Sequence, residues 1–257
     1  MNPANMIQPV SESRLESGDS HVISPSSHRI RSFVRRAGRM THAQRRALTA
    51  LWQRFGVEAD APVDSMALFG RRAPLVLEIG FGDGEALATL ASVDPMANYL
   101  GLEVHRPGIG HLLLRAEALA LTNLRVMCAD AVEVLERQIP DDCLDRVQIF
   151  FPDPWPKTRH HKRRLIQPSF VTLLVHKLKS SGQLHIATDC EDYARSILNL
   201  LNATPGLLNQ ADGNGFAPRP AYRPATRFEQ RGWRLGHQVR DILFARCERR
   251  EQAIPDL

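Results

Sequence analysis

The chain has 257 residues, 43% of them hydrophobic and 24% charged, so it can bury a substantial core without disulfides or metals. Lysine and arginine exceed aspartate and glutamate by 33 to 28, and the arginine-rich segments 29–54 and 157–164 indicate a polyanionic partner. No membrane span, secretory h-region or paired cysteine spacing is present, which predicts a cytoplasmic protein with reduced, buried thiols.

The amino-terminal part divides into two segments. Residues 1–28 are rich in Ser, Pro, Asn and His and poor in large apolar side chains, so we predict a disordered tail. Residues 29–60 form a basic extension, in which Thr41 and Gln44 make a capping box. This box opens a helix whose apolar side carries Leu48, Leu51, Trp52 and Phe55. Residues 61–257 are predicted to form the main domain.

From Pro74 onward, short apolar runs alternate with helical segments. Helices are predicted between five strands, which begin at Leu75, Asn98, Leu124, Leu144 and Gly182. After a loop-rich stretch at 206–224, residues 238–246 are predicted to form an antiparallel edge strand. This alternation predicts an α/β fold with a doubly wound, mostly parallel sheet that carries helices on both faces.

The first predicted strand leads directly into a glycine-rich turn, residues 78–84. Gly80 and Gly82 let the backbone approach a ligand closely. A dinucleotide fingerprint requires a small residue where Glu85 stands, and Asp83 and Glu85 would repel phosphates at the helix N-terminus. The turn resembles the first motif of class I S-adenosylmethionine methyltransferases. A tight turn without a ligand is the alternative.

Acidic residues stand at the ends of the first three predicted strands: Glu78, Glu103 and Asp130. Ligands of such sheets bind at the carboxyl edge, so three acids there indicate a cofactor site. Glu103 lies about 20 residues beyond the glycine turn, where an acid in such folds accepts hydrogen bonds from the ribose hydroxyls of the cofactor. Asp130 occupies the place where methyltransferases commonly contact adenine. Solvated strand ends are the alternative reading.

The fourth predicted strand runs into Pro-Asp-Pro-Trp-Pro, with Asp153 between prolines that restrict the backbone. This block resembles the acid, proline and aromatic motif that faces the methyl group in methyltransferases acting on nitrogen. A phosphate backbone bound by the basic run that follows, residues 157–164, would bring a nucleobase to Asp153. A plain turn and a solvated charge run are the alternatives. His160 and His161 are adjacent rather than four residues apart, so no metal site is predicted.

Six blocks together give a more specific resemblance, and they are RSFVRRAGRMT, EIGFGDG, GLEVHRPG, FFPDPWPKTRHHKRRL, ATDCEDYA and TRFEQRGWRLGHQVRDILF. They resemble the motifs of the bacterial tRNA (guanine-N7-)-methyltransferase family over nearly everything from about residue 31 onward. The resemblance implies methylation of guanine 46 in the variable loop of tRNA, with S-adenosylmethionine as methyl donor. Asp153 would be catalytic, and the cofactor site would contain Glu78, Gly80, Gly82, Glu103, Asp130 and Asp153.

The resemblance also implies a set of substrate-binding residues, namely Lys157, Asp189, Thr226, Arg227, Phe228 and Glu229. Contacts to the RNA backbone are predicted for Arg159, Lys162, Arg163 and Arg164. Arg227 stands where many relatives have lysine, and the two cations are not equivalent at a shaped site. For Asp189, capping of the next helix is the alternative, and for the block from Thr226, a structural turn.

Three other functions compete with this reading. They are a nicotinamide oxidoreductase, a non-catalytic RNA-binding protein and a class I methyltransferase for a small molecule. Glu85 disfavours a nicotinamide oxidoreductase. A non-catalytic RNA-binding protein would leave the acids at the strand ends unexplained. A methyltransferase for a small molecule would not need the arginine-rich segments. Monomer and homodimer are both compatible with the sequence.

Overall fold

Strands and helices alternate along the chain in the computed structural model, which describes residues 32–33, 39–58 and 60–247. The predicted tail at 1–28 lies outside the described residues. The strands are β1 (Leu75–Ile79), β2 (Asn98–Leu102), β3 (Leu124–Met127), β4 (Leu144–Phe150), β5 (Leu178–Thr188), β6 (Leu207–Asn209) and β7 (Arg240–Arg246).

Nine α-helices are described within the same ranges. Three precede the sheet, α1 (His42–Ala50), α2 (Trp52–Phe55) and α3 (Ser65–Phe69). The others are α4 (Glu85–Val93), α5 (Arg106–Ala118), α6 (Ala131–Arg137), α7 (Pro168–Lys177), α8 (Glu191–Asn202) and α9 (Arg227–Arg234). The capping box of α1 is confirmed: Gln44 N donates to Thr41 Oγ1 at 3.2 Å, and Thr41 N donates to Gln44 Oε1 at 2.8 Å.

All seven strands form one sheet in the order β3-β2-β1-β4-β5-β7-β6. The five central strands from β3 to β5 are parallel, whereas β7 is antiparallel to both β5 and β6. The predicted α/β class with a mostly parallel sheet is therefore confirmed. The strand order reverses between β1 and β4, and ligands of open α/β sheets bind in the crevice at such a point.

The prediction that β7 lies at the edge of the sheet is wrong. The edge strand is β6, which pairs with β7 from Leu207 to Asn209 inside the stretch predicted as loop. Three residues without apolar alternation are too short to indicate a strand, so only the pairing with β7 defines β6. Strand β5 also begins four residues earlier than predicted, at Leu178, immediately after α7 ends.

The sheet is buried on both faces, since every residue of β1 and β2 is buried. One face packs against α6, α7 and α8. The other face packs against α4 and α5 and also receives Ala47 from α1 and Phe55 from α2. The backbone N–H of Val57 donates to Val126 of β3 at 2.8 Å. The described part of the basic extension therefore packs onto the same sheet.

The cysteines differ from the prediction of buried core thiols. Cys128 and Cys247 are exposed, and Cys143 and Cys190 are half-buried. Their positions at loops and element ends, rather than on the inward faces of strands, explain the difference. Within the described ranges, no helix is long and apolar enough to span a membrane.

Candidate active site

A cleft opens at the carboxyl edge of the sheet, where the strand order reverses between β1 and β4. We call it the strand-end cleft. Its walls come from the ends of four neighbouring strands and from two residues of the basic extension. The lining residues are Ser32, Phe33, Ile79, Gly80, Leu102, Glu103, Val104, Ala129, Asp130, Ala131, Ile149, Phe151, Pro152, Asp153 and Leu165. Three of the sequence-predicted carboxylates, Glu103, Asp130 and Asp153, thus share one cleft.

The glycine turn forms the floor beside β1. Gly80 and Gly82 have φ angles of +72° and +61°, which disfavour any side chain, and a Cβ on either would meet only open space. The turn also lies very close to α5, because a Cβ on Gly108 would stand 1.9 Å from Gly82 O. The backbone is therefore exposed on the cleft side and tightly packed behind.

Glu103 is fixed by three backbone N–H groups. Its Oε1 accepts from Val104 N at 2.7 Å and His105 N at 2.9 Å, and its Oε2 accepts from Gly82 N at 2.9 Å. These bonds tie the end of β2 to the glycine turn. The two bonds to Oε1 use both of its lone pairs, whereas Oε2 keeps one free, so Glu103 can still accept a hydrogen bond from a ligand hydroxyl.

Glu78 lies behind the cleft rather than on its wall within the described part of the chain. Burial, and to a lesser degree the neighbouring carboxylates of Glu103 and Asp83, raises the pKa of Glu78 to about 8. Its Oε2 is buried and finds no hydrogen-bond partner among the described residues. An unsatisfied buried carboxyl oxygen beside a glycine turn fits a ligand that brings a positively charged donor.

Asp130, which follows the end of β3, has two structural roles. Its side chain accepts from Val132 N at 3.0 Å and so caps α6. The same residue lines the strand-end cleft. The helix cap fixes the carboxylate at the cleft wall.

The segment from Phe151 to Trp155 holds Asp153 on a strained loop. Phe151 and Trp155 have φ angles of +54° and +43°, unusual for residues with bulky side chains. Three contacts hold the loop: Phe151 N donates to Ala187 O at 2.7 Å, Arg164 Nε donates to Pro154 O at 2.8 Å, and Trp155 Nε1 donates to Ser32 O at 3.2 Å. Asp153 itself is exposed on this fixed loop. Backbone strain of this kind is typical of functional sites.

The basic run forms a short 3₁₀ helix, Thr158–Arg163, at the rim of the strand-end cleft. Lys157, Arg159 and Lys162 are exposed, and the Arg163 guanidinium lies 5.0 Å from the centre of the Trp155 ring. His160 lies in this positive field, and partial desolvation together with the neighbouring cations lowers its pKa. Among the described residues, no group of three or more His, Cys, Asp or Glu side chains is arranged to hold a metal ion.

Arg164 departs from the prediction that the whole run is available to RNA. Its side chain is only 5% exposed, because it stacks over Tyr193 and donates to Asp192 Oδ2 at 2.6 Å as well as to the Asp153 loop. A guanidinium held in this way supports the loop instead of facing a phosphate. A charge run suggests uniform exposure, and only the fold distinguishes this arginine from its neighbours.

Asp189 lies outside the strand-end cleft. It belongs to a second cleft formed with the segment from Gly236 to Arg240, and its Oδ2 lies 3.2 Å from His237 Nδ1. Capping of α8 by Asp189 is excluded, because the N-cap position is Cys190 and no side chain caps that end. That Asp189 binds substrate therefore stays a prediction. The residue lies in this second cleft and not in the strand-end cleft.

The block from Thr226 forms α9 instead of a structural turn. Thr226 Oγ1 accepts from Glu229 N at 3.2 Å and so caps the helix. Arg227 and Phe228 are exposed, and the Phe228 ring lies 5.0 Å from the Phe151 ring of the Asp153 loop. Three members of the predicted block therefore begin a helix that borders the strand-end cleft.

The fourth member, Glu229, is only 1% exposed. Its oxygens accept from Arg223 Nη1 at 2.7 Å and Nη2 at 2.8 Å, and Arg223 Nε donates to Asp241 Oδ1 at 2.6 Å. In this arrangement the Glu229 carboxylate faces a buried arginine rather than a substrate. The structure therefore does not place Glu229, which was predicted to bind substrate, in the strand-end cleft.

The buried cluster continues to β5 through His185, whose Nε2 lies 2.8 Å from Asp241 Oδ1 and whose Nδ1 lies 2.8 Å from the Tyr222 hydroxyl. Burial lowers the pKa of His185 despite the neighbouring Asp241. The neutral ring then donates to Asp241 and accepts from Tyr222. We call Tyr222, His185, Asp241, Arg223 and Glu229 the buried polar cluster. Only Glu229 was predicted from the sequence to have a functional role.

The fold and the site define a class of protein. The strand order, the glycine turn after β1 and the carboxylates at successive strand ends are those of a Rossmann-like class I methyltransferase. The solved structure of the 16S rRNA methyltransferase KamB is similar in fold, with a TM-score of 0.51 and 14% sequence identity over 74% of this chain and 96% of that one.

Sequence comparison specifies the family. A family model described as a putative methyltransferase matches residues 72–242. The tRNA (guanine-N(7)-)-methyltransferase of Klebsiella pneumoniae is 55% identical over 86% of this chain and 92% of its own length. The relative of the same name from Serratia proteamaculans is 54% identical over 88% of this chain and 98% of its own. The chain belongs to the tRNA (guanine-N(7)-)-methyltransferase family.

Proposed function

We propose that this protein transfers the methyl group of S-adenosylmethionine to N7 of guanine 46 in the variable loop of tRNA. The observation that carries the proposal is the shared cleft of Glu103, Asp130 and Asp153 in a chain 55% identical to a tRNA (guanine-N(7)-)-methyltransferase. The modified position follows the family resemblance. A tRNA substrate is also consistent with the cytoplasmic location expected from the sequence.

The residues present fit the cofactor. Glu103 would accept a hydrogen bond from the ribose hydroxyls, Asp130 would border the adenine, and the Glu78 carboxyl behind the cleft wall would attract the positively charged amino group of the methionine moiety. The open backbone at Gly80 and Gly82 leaves room for close approach. When bound, the cofactor supplies a methyl group on a positively charged sulfur, which is activated for displacement.

The nucleophile needs no general base, because guanine N7 carries a lone pair and no proton. The acceleration would come mainly from holding N7 in line with the methyl carbon, an effect worth up to ~7–11 kcal/mol. The Asp153 loop supports that role, since a backbone bond from Phe151 N to Ala187 O and a side-chain bond from Arg164 Nε to Pro154 O fix it.

Asp153 would contribute charge and orientation. Guanine becomes cationic as N7 is methylated, so its N1–H and N2–H groups become stronger donors. A carboxylate that accepts from them binds more tightly in the transition state than in the ground state. No hydrogen bond occupies the Asp153 carboxylate within the described part of the chain, which leaves it available for this contact.

The tRNA backbone would be held by the exposed cations beside the Asp153 loop. The exposed Lys157, Arg159 and Lys162 and the half-buried Arg163 would provide that charge, and Arg227 and Phe228 at the start of α9 would contact the base. Asp189 would contact substrate from the neighbouring cleft. The burial of Arg164 and Glu229 supports an indirect contribution, through the Asp153 loop and α9 respectively.

One experiment separates this proposal from its alternatives. The protein is incubated with methyl-labelled S-adenosylmethionine and bulk tRNA, and the digested nucleosides are analysed by mass spectrometry. Labelled 7-methylguanosine is expected. Labelling of a different nucleoside would change the assigned reaction, and RNA binding without labelling would indicate a non-catalytic protein. A labelled small molecule from a cell extract, with unlabelled tRNA, would indicate a small-molecule methyltransferase.

A further inference from the structure

Glu85 connects the cofactor turn to the start of α9. It is the first residue of α4, directly after the glycine turn. Its Oε2 accepts from the backbone N–H of Arg227 at 3.1 Å, and its Oε1 lies 3.6 Å from Arg227 Nε. The two residues are 142 positions apart in the chain. The contact therefore joins two functional segments that only the fold brings together.

The backbone bond carries more weight than the ion pair. The Arg227 side chain is 79% exposed, so a guanidinium 3.6 Å from a carboxylate contributes little in solvent. The first N–H groups of a helix, in contrast, have no partner within the helix. At α9, Thr226 accepts from Glu229 N and Glu85 accepts from Arg227 N. A carboxylate at that end also interacts favourably with the helix dipole.

Other contacts also restrain α9, and they come from elements other than the cofactor turn. Glu229 is held by Arg223 of the buried polar cluster, and Phe228 packs against Phe151 of the Asp153 loop. These contacts fix α9 to the sheet and to the Asp153 loop. Glu85 restrains the same helix from the cofactor turn.

We propose that Glu85 is a positioning residue, which sets α9 against the cofactor turn so that Arg227 and Phe228 face the tRNA. Glu85 is not among the residues that line the strand-end cleft, so its substitution is expected to change cofactor binding little. The inference rests on the proposed function, because it assigns α9 to the binding of tRNA. It adds a residue outside the predicted substrate-binding set.

Two substitutions separate the acceptor role of Glu85 from its charge. Glu85→Ala removes the acceptor, whereas Glu85→Gln keeps a carbonyl oxygen that can accept from Arg227 N. Glu117→Ala is the matched control, because Glu117 is an exposed glutamate near the end of α5. For each protein, the KM for tRNA, kcat and the Kd for S-adenosylhomocysteine are measured.

Glu85→Ala is expected to raise the KM for tRNA about fivefold or more, with the Kd for S-adenosylhomocysteine within twofold of wild type. Glu85→Gln should recover most of the loss, and Glu117→Ala should behave as wild type. Unchanged tRNA kinetics in Glu85→Ala would overturn the proposal. So would a Gln variant as impaired as Ala, or a large loss of S-adenosylhomocysteine binding, which would place Glu85 in the cofactor site.

Hydrogen exchange tests the contact without any assay of activity. The Arg227 amide should exchange about tenfold faster in Glu85→Ala than in wild type, while Glu85→Gln and Glu117→Ala keep the wild-type rate. Equal rates in all four proteins would overturn the positioning role, whatever the kinetics show. If the wild-type protein fails to methylate tRNA, the proposed function fails, and the exchange rates still decide whether Glu85 positions α9.

Discussion

The guanidinium of Arg223 binds the carboxylate of Glu229 through two hydrogen bonds of 2.7 and 2.8 Å, and both side chains are 1% exposed. The same guanidinium donates twice to Asp241, at 2.6 and 3.0 Å. One buried arginine thus joins α9 to β7. Its position explains how the exposed start of α9 is held beside the cleft.

We expect Arg223→Met to be strongly destabilising, because it leaves two buried carboxylates without their cation. Loss of one partner of a buried ion pair costs ~3–5 kcal/mol. The control is Arg195→Met, which breaks an exposed pair with Glu191 and should cost ~0.5 kcal/mol or less. Chemical denaturation measures both changes in the free energy of unfolding. Equal small losses would show that the buried polar cluster does not hold α9.

The buried carboxyl of Glu78 predicts a pH dependence of stability. Its pKa is raised from 4.5 to about 8, so the folded protein retains a proton that the unfolded chain loses as the pH rises through this window. The contribution of Glu78 to the free energy of unfolding therefore falls between about pH 4.5 and pH 8. Glu78→Gln removes this contribution and should become more stable relative to wild type as the pH rises. Stability curves for the two proteins that stay parallel from pH 5 to 8 would contradict the assignment.

The exposed cations beside the Asp153 loop should determine the salt dependence of tRNA binding. Each lost phosphate contact lowers the magnitude of the slope of log K against log salt by ~0.7–0.9. The double variant Arg159→Ala, Lys162→Ala should lower it by roughly 1.4–1.8, with unchanged cofactor affinity. The control double variant is Arg137→Ala, Lys179→Ala, at the end of α6 and near the start of β5. If both pairs change the slope equally, net charge rather than this surface binds the RNA.

Asp153→Asn should affect the chemical step and not binding. The amide keeps the size and one acceptor of the carboxylate but loses its charge and turns a donor toward the guanine edge. Turnover should fall by roughly 10²–10³, with tRNA and cofactor bound within a few-fold of wild type. Single-turnover kinetics at saturating tRNA measure the loss. A near-wild-type rate would exclude Asp153 from catalysis, and loss of cofactor binding would make it a ligand of the methionine moiety.

Much of the cofactor side of the site is predictable from the sequence. The acids at positions 103, 130 and 153 follow predicted strands, and the carboxyl ends of parallel strands meet at one edge, so their convergence follows from topology. The glycine turn can be recognised because its backbone adopts positive φ, which requires glycines that are visible in the sequence. These features depend on local patterns within single strand-to-helix units.

The buried polar cluster and the burial of Arg164 were not predictable in this way. The cluster joins His185 on β5 to Asp241 on β7, which are 56 residues apart and adjacent only because β7 inserts between β5 and β6. Arg164 has the same charge and sequence surroundings as its exposed neighbours, and only its proximity to Tyr193 and Asp192 buries it. The contact from Glu85 to Arg227 is missed for the same reason. Long-range pairing of charged groups leaves no periodic signal in the sequence.

Methylation of guanine 46 can be measured with two tRNA transcripts that differ only in carrying guanine or adenine at position 46. Each is incubated with the protein and methyl-labelled S-adenosylmethionine under single-turnover conditions, and the digested nucleosides are analysed by mass spectrometry. Labelled 7-methylguanosine is expected from the guanine transcript and none from the adenine transcript. Absence of labelled 7-methylguanosine from the guanine transcript, or equal labelling of both, would contradict the proposed function.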